Sequence, residues 1–223
     1  MRIPEHEIYK LLNLFLDVTR DDFNANSGVN SFLYHIFGDN DTDIPERLKI
    51  STYDFFEQSK TVILRKDHPR SLKFSLGYNM EKANVPTIHI TLPSESPKNA
   101  GIGANEGYED EIVDKANRKY KAVFTSDYSV TYNLLITSDN MNEVLLIYNW
   151  LKCVMLSMHE QVEFRGFQNA TFSGSDLSID EDMVPNHIFC RNFNLAFTYD
   201  FSVPSLISRA YGTGVSVAPP TSP

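Results

Sequence analysis

His159 and Glu160 stand side by side in HEQVEF, this sequence's nearest approach to a zinc-binding helix. That chemistry needs His-Glu-x-x-His, which sets two imidazoles one turn apart on a single face. The second histidine is missing. His6, His35, His68, His89 and His187 form no metal-ligand spacing either, and His89, alone in TIHITLP, reads as a structural residue. The two cysteines, Cys153 and Cys190, have no CxxC partner and read as free thiols in a reducing compartment. Gly101, Gly103 and Gly107 approach a dinucleotide-binding loop, but Glu106 breaks the spacing and no strand-turn-helix surrounds them. GDNDTDIP lacks the spacing of a calcium loop. GxSxG, phosphate-loop and catalytic-cysteine signatures are all absent from the sequence. A triad gathered from distant residues leaves no local trace. The absence of every local signature nevertheless predicts a protein that is not an enzyme and uses neither cofactor nor metal.

The charge balance narrows the partners. A formal charge of −9 and a pI near 5.1 disfavour sequence-independent nucleic-acid binding, which needs clustered Lys and Arg. ILRKDHPRSLK is the most basic stretch and reads as a strand pair with its turn. The acidic patch Glu106, Glu109, Asp110, Glu111 and Asp114 reads as a solvated loop, or as a docking loop for a basic partner surface. The first residues, MRIPEHEIYK, do not have the form of a secretory signal.

Stepping out from these residues, Ile8, Leu11, Leu12, Phe15 and Leu16 form one helical stripe behind Pro4, and Val29 to Phe37 reads as a second, short helix. From Ile50 the period becomes that of strands, with TVILRK, then SLKFSLGYNM, TIHITLP and SVTYNLLI. Residues 94–118 break the pattern as a mobile loop or hairpin. Asn140 and Glu143 resemble a capping box opening a helix from about Met141 to Phe164. FQNATFSG and HIFCRNFNLAFTYDFSVP are strands, and 204–223 is an extended arm.

Two of these elements carry more apolar surface than they need. The helix NEVLLIYNWLKCVMLSMHEQ is too short and too interrupted by Asn149 and Lys152 to cross a membrane. One apolar stripe needs an arc of about 100°, and Leu145, Trp150, Cys153 and Leu156 extend well beyond it. The last strand run would reach roughly 50 Å, far longer than an ordinary strand. This surplus predicts a subunit interface containing Leu145, Trp150, Cys153 and Leu156 of the helix, with Arg191, Phe193 and Phe197 of the strand.

The order of elements, with YNLLITSDN before the helix, FRGF closing it, the Ser-Gly-Ser-Asp turn and CRNFNLAFTYDFSVP, resembles the neck and tail-completion (tail terminator-like) proteins of tailed bacteriophages. The resemblance covers the C-terminal half closely and the N-terminal half by element type. It implies an α+β fold, an antiparallel β-sheet with helices packed on one face and a long protruding C-terminal strand. One domain would span 1–203, with a loop insertion at 94–118. It also implies a structural virion protein that assembles in the host cytoplasm into a homo-oligomeric ring, often of six copies, at the neck or tail, where it completes the tail or joins it to the head. Its partners would be other neck, tail tube or sheath proteins, with DNA passing unbound and no membrane. The acidic insertion and the Pro-rich tail depart from the family pattern. Two alternatives remain beside it: a small α+β ligand-binding protein or enzyme with a pocket under 94–118, and an adaptor acting through its acidic loop.

Overall fold

The computed structural model describes residues 3–26, 28, 30–38, 53–77, 85–97, 108–114, 119–164, 166–176 and 188–204. Over 108–114, 119–126, 164, 176 and 201–204 only the backbone is described. Contacts divide the chain into two compact units, one of Met1, Pro97–Asp127 and Asp200–Pro223, the other of Arg2–Ser96 and Tyr128–Tyr199.

The larger unit begins with α1 (Pro4–Ala25), whose stripe of Ile8, Leu11, Leu12, Phe15 and Leu16 is buried as its spacing predicts. α2 (Phe32–Phe37) starts at Ser31, whose hydroxyl accepts from the Tyr34 N–H at 3.3 Å. Asp22 of α1 accepts from the Phe32 N–H at 2.6 Å and ties the two helices together. α3 (Phe55–Ser59) starts at Asp54, whose carboxylate accepts from the Glu57 N–H at 2.9 Å. The chain then continues through a π-helical turn, Lys60–Leu64, where the sequence reading placed a strand. The β-branched run Thr61-Val62-Ile63 invites that reading, but the cap at Asp54 has already launched a helix. Val62 and Ile63 are fully buried, and the Arg20 Nε–H bonds the Ile63 carbonyl at 2.9 Å.

The sheet has strand order β1-β2-β4-β6-β5, with β3 also pairing β4. Its strands are β1 (Lys73–Leu76), β2 (Thr87–Pro97), β3 (Tyr108–Asp114), β4 (Lys119–Ser138), β5 (Gln168–Asp176) and β6 (Phe189–Pro204). β1 and β2 are parallel, whereas β3–β4 and β5–β6 are antiparallel. The protein is therefore α+β, with a mostly antiparallel sheet. In the smaller unit, β3 runs from Tyr108 opposite Phe124 to Asp114 opposite Lys119, with a register shift between Ile112 and Asp114.

In the larger unit Val130, Tyr132, Leu134 and Ile136 of β4 join Phe193, Leu195 and Phe197 of β6 and Ile88 and Ile90 of β2 in one core. Thr131, Asn133, Asn192 and Asn194 occupy the alternate positions, as a half-solvated antiparallel sheet requires. α4 (Met141–Ser157) packs on the apolar face, and Tyr148 lies edge-on to Phe193 at 5.9 Å. The helix expected to run unbroken to Phe164 stops at Met158, and α5 (His159–Phe164) follows as a separate piece. Among the described residues, no helix is long and apolar enough to cross a membrane.

Candidate functional surfaces

The densest polar cluster lies at the N-terminus of α4. Arg70 donates from Nε and Nη2 to both oxygens of Glu143, each at 2.7 Å, a bidentate fork. It also donates from Nη2 and Nη1 to Asp139, at 2.5 and 3.3 Å. Glu143 is only 3% exposed, and its Oε2 accepts a further bond from the Ser138 hydroxyl at 2.6 Å. Asn140 caps the helix by accepting from the Asn142 N–H at 2.9 Å. The capping box expected between Asn140 and Glu143 is thus replaced, because the Glu143 carboxylate turns to Arg70. Both carboxylates also stand at the positive end of the helix dipole.

This cluster floors an open cleft of about 560 Å³ whose walls include Tyr53, Met141 and Phe189. Its electrostatics favour anchoring over chemistry. The Arg70 hydrogen bond holds the Asp139 carboxyl below the usual range, and the two carboxylates push the guanidinium further up. Burial, then the Glu143 charge, push the Tyr53 phenol up to about 12, which keeps it protonated at neutral pH. The guanidinium fork is already spent on two carboxylates. The cluster fastens the 67–72 turn to α4 rather than offering a cation to an anionic ligand. Arg70 was not legible as part of a site, because its partner Glu143 lies 73 residues away. Only the Ser-Asp-Asn run before the helix hinted at it.

α4 does bury two sides, but its own chain covers the second one. Leu146 and Trp150 are fully buried, and the Trp150 indole N–H bonds the Thr19 hydroxyl of α1 at 3.2 Å. Phe193 and Phe197 are core residues too, at 0% and 3% exposure. The interface expected from Trp150, Phe193 and Phe197 therefore gives way to a core between the sheet and the α1–α3 layer. Leu156 is 54% exposed, and Leu145 and Cys153 are half-buried beside it. Burial pushes the thiols of both Cys153 and Cys190 up, so neither is an activated nucleophile. Arg191 is half-buried, with its guanidinium carbon 4.8 Å from the Tyr148 ring centre, a cation–π contact. Of the acidic docking residues, Glu106 lies outside the described residues. Glu109, Asp110, Glu111 and Asp114 fall on β3, with Glu111 in register with Lys121.

The sheet edge next to α4 is a second surface. β5 ends the strand order, and among the described residues it pairs with β6 alone. Tyr148 reaches across this strand, and a Cβ added to Gly174 would sit 1.8 Å from the Tyr148 hydroxyl oxygen. Glycine there leaves room for the Tyr148 ring, and a larger residue would make that side chain move. Leu145 and Leu156 lie further round α4, on the side opposite its buried residues.

Fold and surfaces together define an α+β protein in which, among the described residues, the outer edge of β5 pairs with no further strand and Leu156 of α4 is exposed. Compared with known proteins, the chain matches no family model and no curated protein.

Proposed function

We propose that this protein is a structural, non-enzymatic subunit of a tailed-phage virion that assembles with copies of itself into a ring at the neck or tail end, completing the tail or joining it to the head. The observations that carry this reading are the outer edge of β5, which among the described residues pairs with β6 alone, and Leu156 of α4, 54% exposed. The order strand, α4, β5, β6 is the one on which the family resemblance rests, although Ser173-Gly174-Ser175-Asp176, expected as a turn, lies within β5 and pairs with β6. Other neck, tube or sheath proteins are the further partners, and assembly takes place in the host cytoplasm. The charge of −9 suits a ring through which DNA passes without adhering.

The test is to purify intact particles, identify this chain by mass spectrometry and locate it by antibody labelling. Label at the neck or tail end is the expected result. A chain absent from particles overturns the reading.

A further inference from the structure

Three strands, β2, β4 and β6, run on past the hydrophobic core. Toward the smaller unit, their last core residues are Ile90, Val130 and Phe197. Outside those positions β2 is exposed from Leu92 to Pro97, Ser129 and Asp200 are exposed, and Tyr128 and Tyr199 are half-buried. The same strands cross from the larger unit into the smaller one, between Ser96 and Pro97, Asp127 and Tyr128, and Tyr199 and Asp200. A backbone ladder ties only adjacent strands to each other.

One group of side chains, all of the larger unit, stands at these three crossings. The Tyr199 hydroxyl of β6 donates to the Glu95 carboxylate of β2. β4 lies between those strands in the sheet, so the bond reaches over it, across about 10 Å of sheet. The Tyr199 ring stacks with Tyr128 of β4, centroids 6.0 Å apart, and meets Phe197 at 6.2 Å. Further in, the buried Tyr132 phenol donates to Glu5 in the first turn of α1, and its ring stacks with Phe197 at 5.8 Å. Burial, then the bond to Glu95, push the Tyr199 phenol well above its ordinary 10. Burial, then Glu5, do the same for Tyr132, so both phenols stay protonated donors at neutral pH.

We infer that this carboxylate–phenol collar is a fray stop, the place where opening of β2, β4 and β6 that starts in the smaller unit halts before it reaches the core. Glu95 and Tyr199 sit two strands apart, so neither outer strand can leave β4 freely while their bond holds. Releasing Tyr199 breaks a charge-assisted hydrogen bond and two aromatic contacts as well as ladder bonds. One step further in, Val130 at 2% exposure and Phe197 at 3% open only by exposing the core. The smaller unit can therefore open or re-pair its strands with the larger unit intact, whatever the protein assembles with. This inference stands apart from the virion reading.

Hydrogen exchange of the full chain in rising urea, followed by mass spectrometry, tests it in the wild type first. Segment 119–126 of β4 is expected to exchange through local openings that urea hardly promotes. Segments 130–136 and 193–196 should exchange through global unfolding alone, with the break falling at 127–129. Tyr199→Phe keeps the ring and its stacking but removes the hydroxyl, and Glu95→Ala removes the acceptor at an exposed position. Each is expected to speed exchange of 128–131 and 198–200 about fivefold and to leave 132–136 unchanged. The double variant should do no more than either single one, since the same bond is lost in all three.

Circular dichroism verifies that each variant folds, and the wild-type experiment stands without them. Protection that changes evenly along 119–136 in the wild type, with no break, overturns the inference. Variants that leave 128–131 at the wild-type rate overturn it too. So do variants that speed 132–136 equally, which marks general destabilisation, or single effects that add in the double variant, which shows that the two groups do not share a bond.

Discussion

Arg70 holds two carboxylates, and the partner it protects is nearly buried. Replacing it with Ala leaves Glu143, 3% exposed, as an uncompensated charge. The expected loss is about 3 kcal/mol, read as a lower urea midpoint. Arg70→Lys should recover little of it, because an ammonium lacks the planar fork that meets both Glu143 oxygens. Asp139→Asn should cost less, about 1 kcal/mol, since that pair is open to water. Equal losses for Arg70→Lys and a silent control substitution would refute the clamp. His89 gives a second prediction at this scale. It is 5% exposed, its Nδ1–H donates to the Gly77 carbonyl at 3.3 Å, and Nε2 faces the Thr137 hydroxyl at 3.2 Å. Burial lowers its pKa below the ordinary 6.5, so it is neutral when folded. Below about 6.5 the unfolded chain therefore binds a proton that the folded chain refuses, and stability falls with pH. The urea midpoint should drop between about pH 7.5 and about pH 5, with a smaller drop in His89→Gln. The sequence marked His89 as structural but could not display its partners, because Gly77 and Thr137 come from other segments.

At the scale of elements, α4 separates what a pattern can report from what it cannot. Its apolar arc was visible in the sequence, and so was the need for cover on two sides. Which body supplies the cover was not, because an α1 surface and a neighbouring subunit leave the same mark on periodicity. Trp150→Ala tests the answer. The indole packs inside the chain against α1, so the expected cost is about 3–5 kcal/mol at any protein concentration. An interface residue would instead show a cost that depends on concentration. The contact between α4 and β5 has its own test in Gly174→Ala, whose new Cβ falls 1.8 Å from the Tyr148 hydroxyl oxygen. Overpacking of this kind costs about 1–3 kcal/mol. Tyr148→Leu in the same chain should make the two changes non-additive, and strict additivity would show that they do not touch. The stripe of α1 was readable because one buried face fixes one period. Thr61-Val62-Ile63 was misread because β-branched residues favour strands locally, while the Asp54 cap and the burial of Val62 and Ile63 hold the segment helical.

For the whole molecule, composition supplies a quantity that no single contact does. Each copy carries a formal charge of −9, so copies repel one another as they approach. A ring of copies would bury exposed apolar groups such as Leu76, Leu92 and Leu156 against this repulsion. Apolar burial of this kind changes little with moderate salt, whereas the repulsion is screened. The Debye length shortens from about 30 Å at 0.01 M to about 8 Å at 0.15 M ionic strength. Self-association should therefore strengthen with added salt over that range, as a larger weight-average mass at fixed protein concentration. The sign is diagnostic. Were Lys152 and Arg191 gripping carboxylates of the next copy as the main attraction, the same salt would weaken assembly. A fall in mass with salt would thus refute an apolar contact working against like net charge, even if the stoichiometry of the assembly came out as expected.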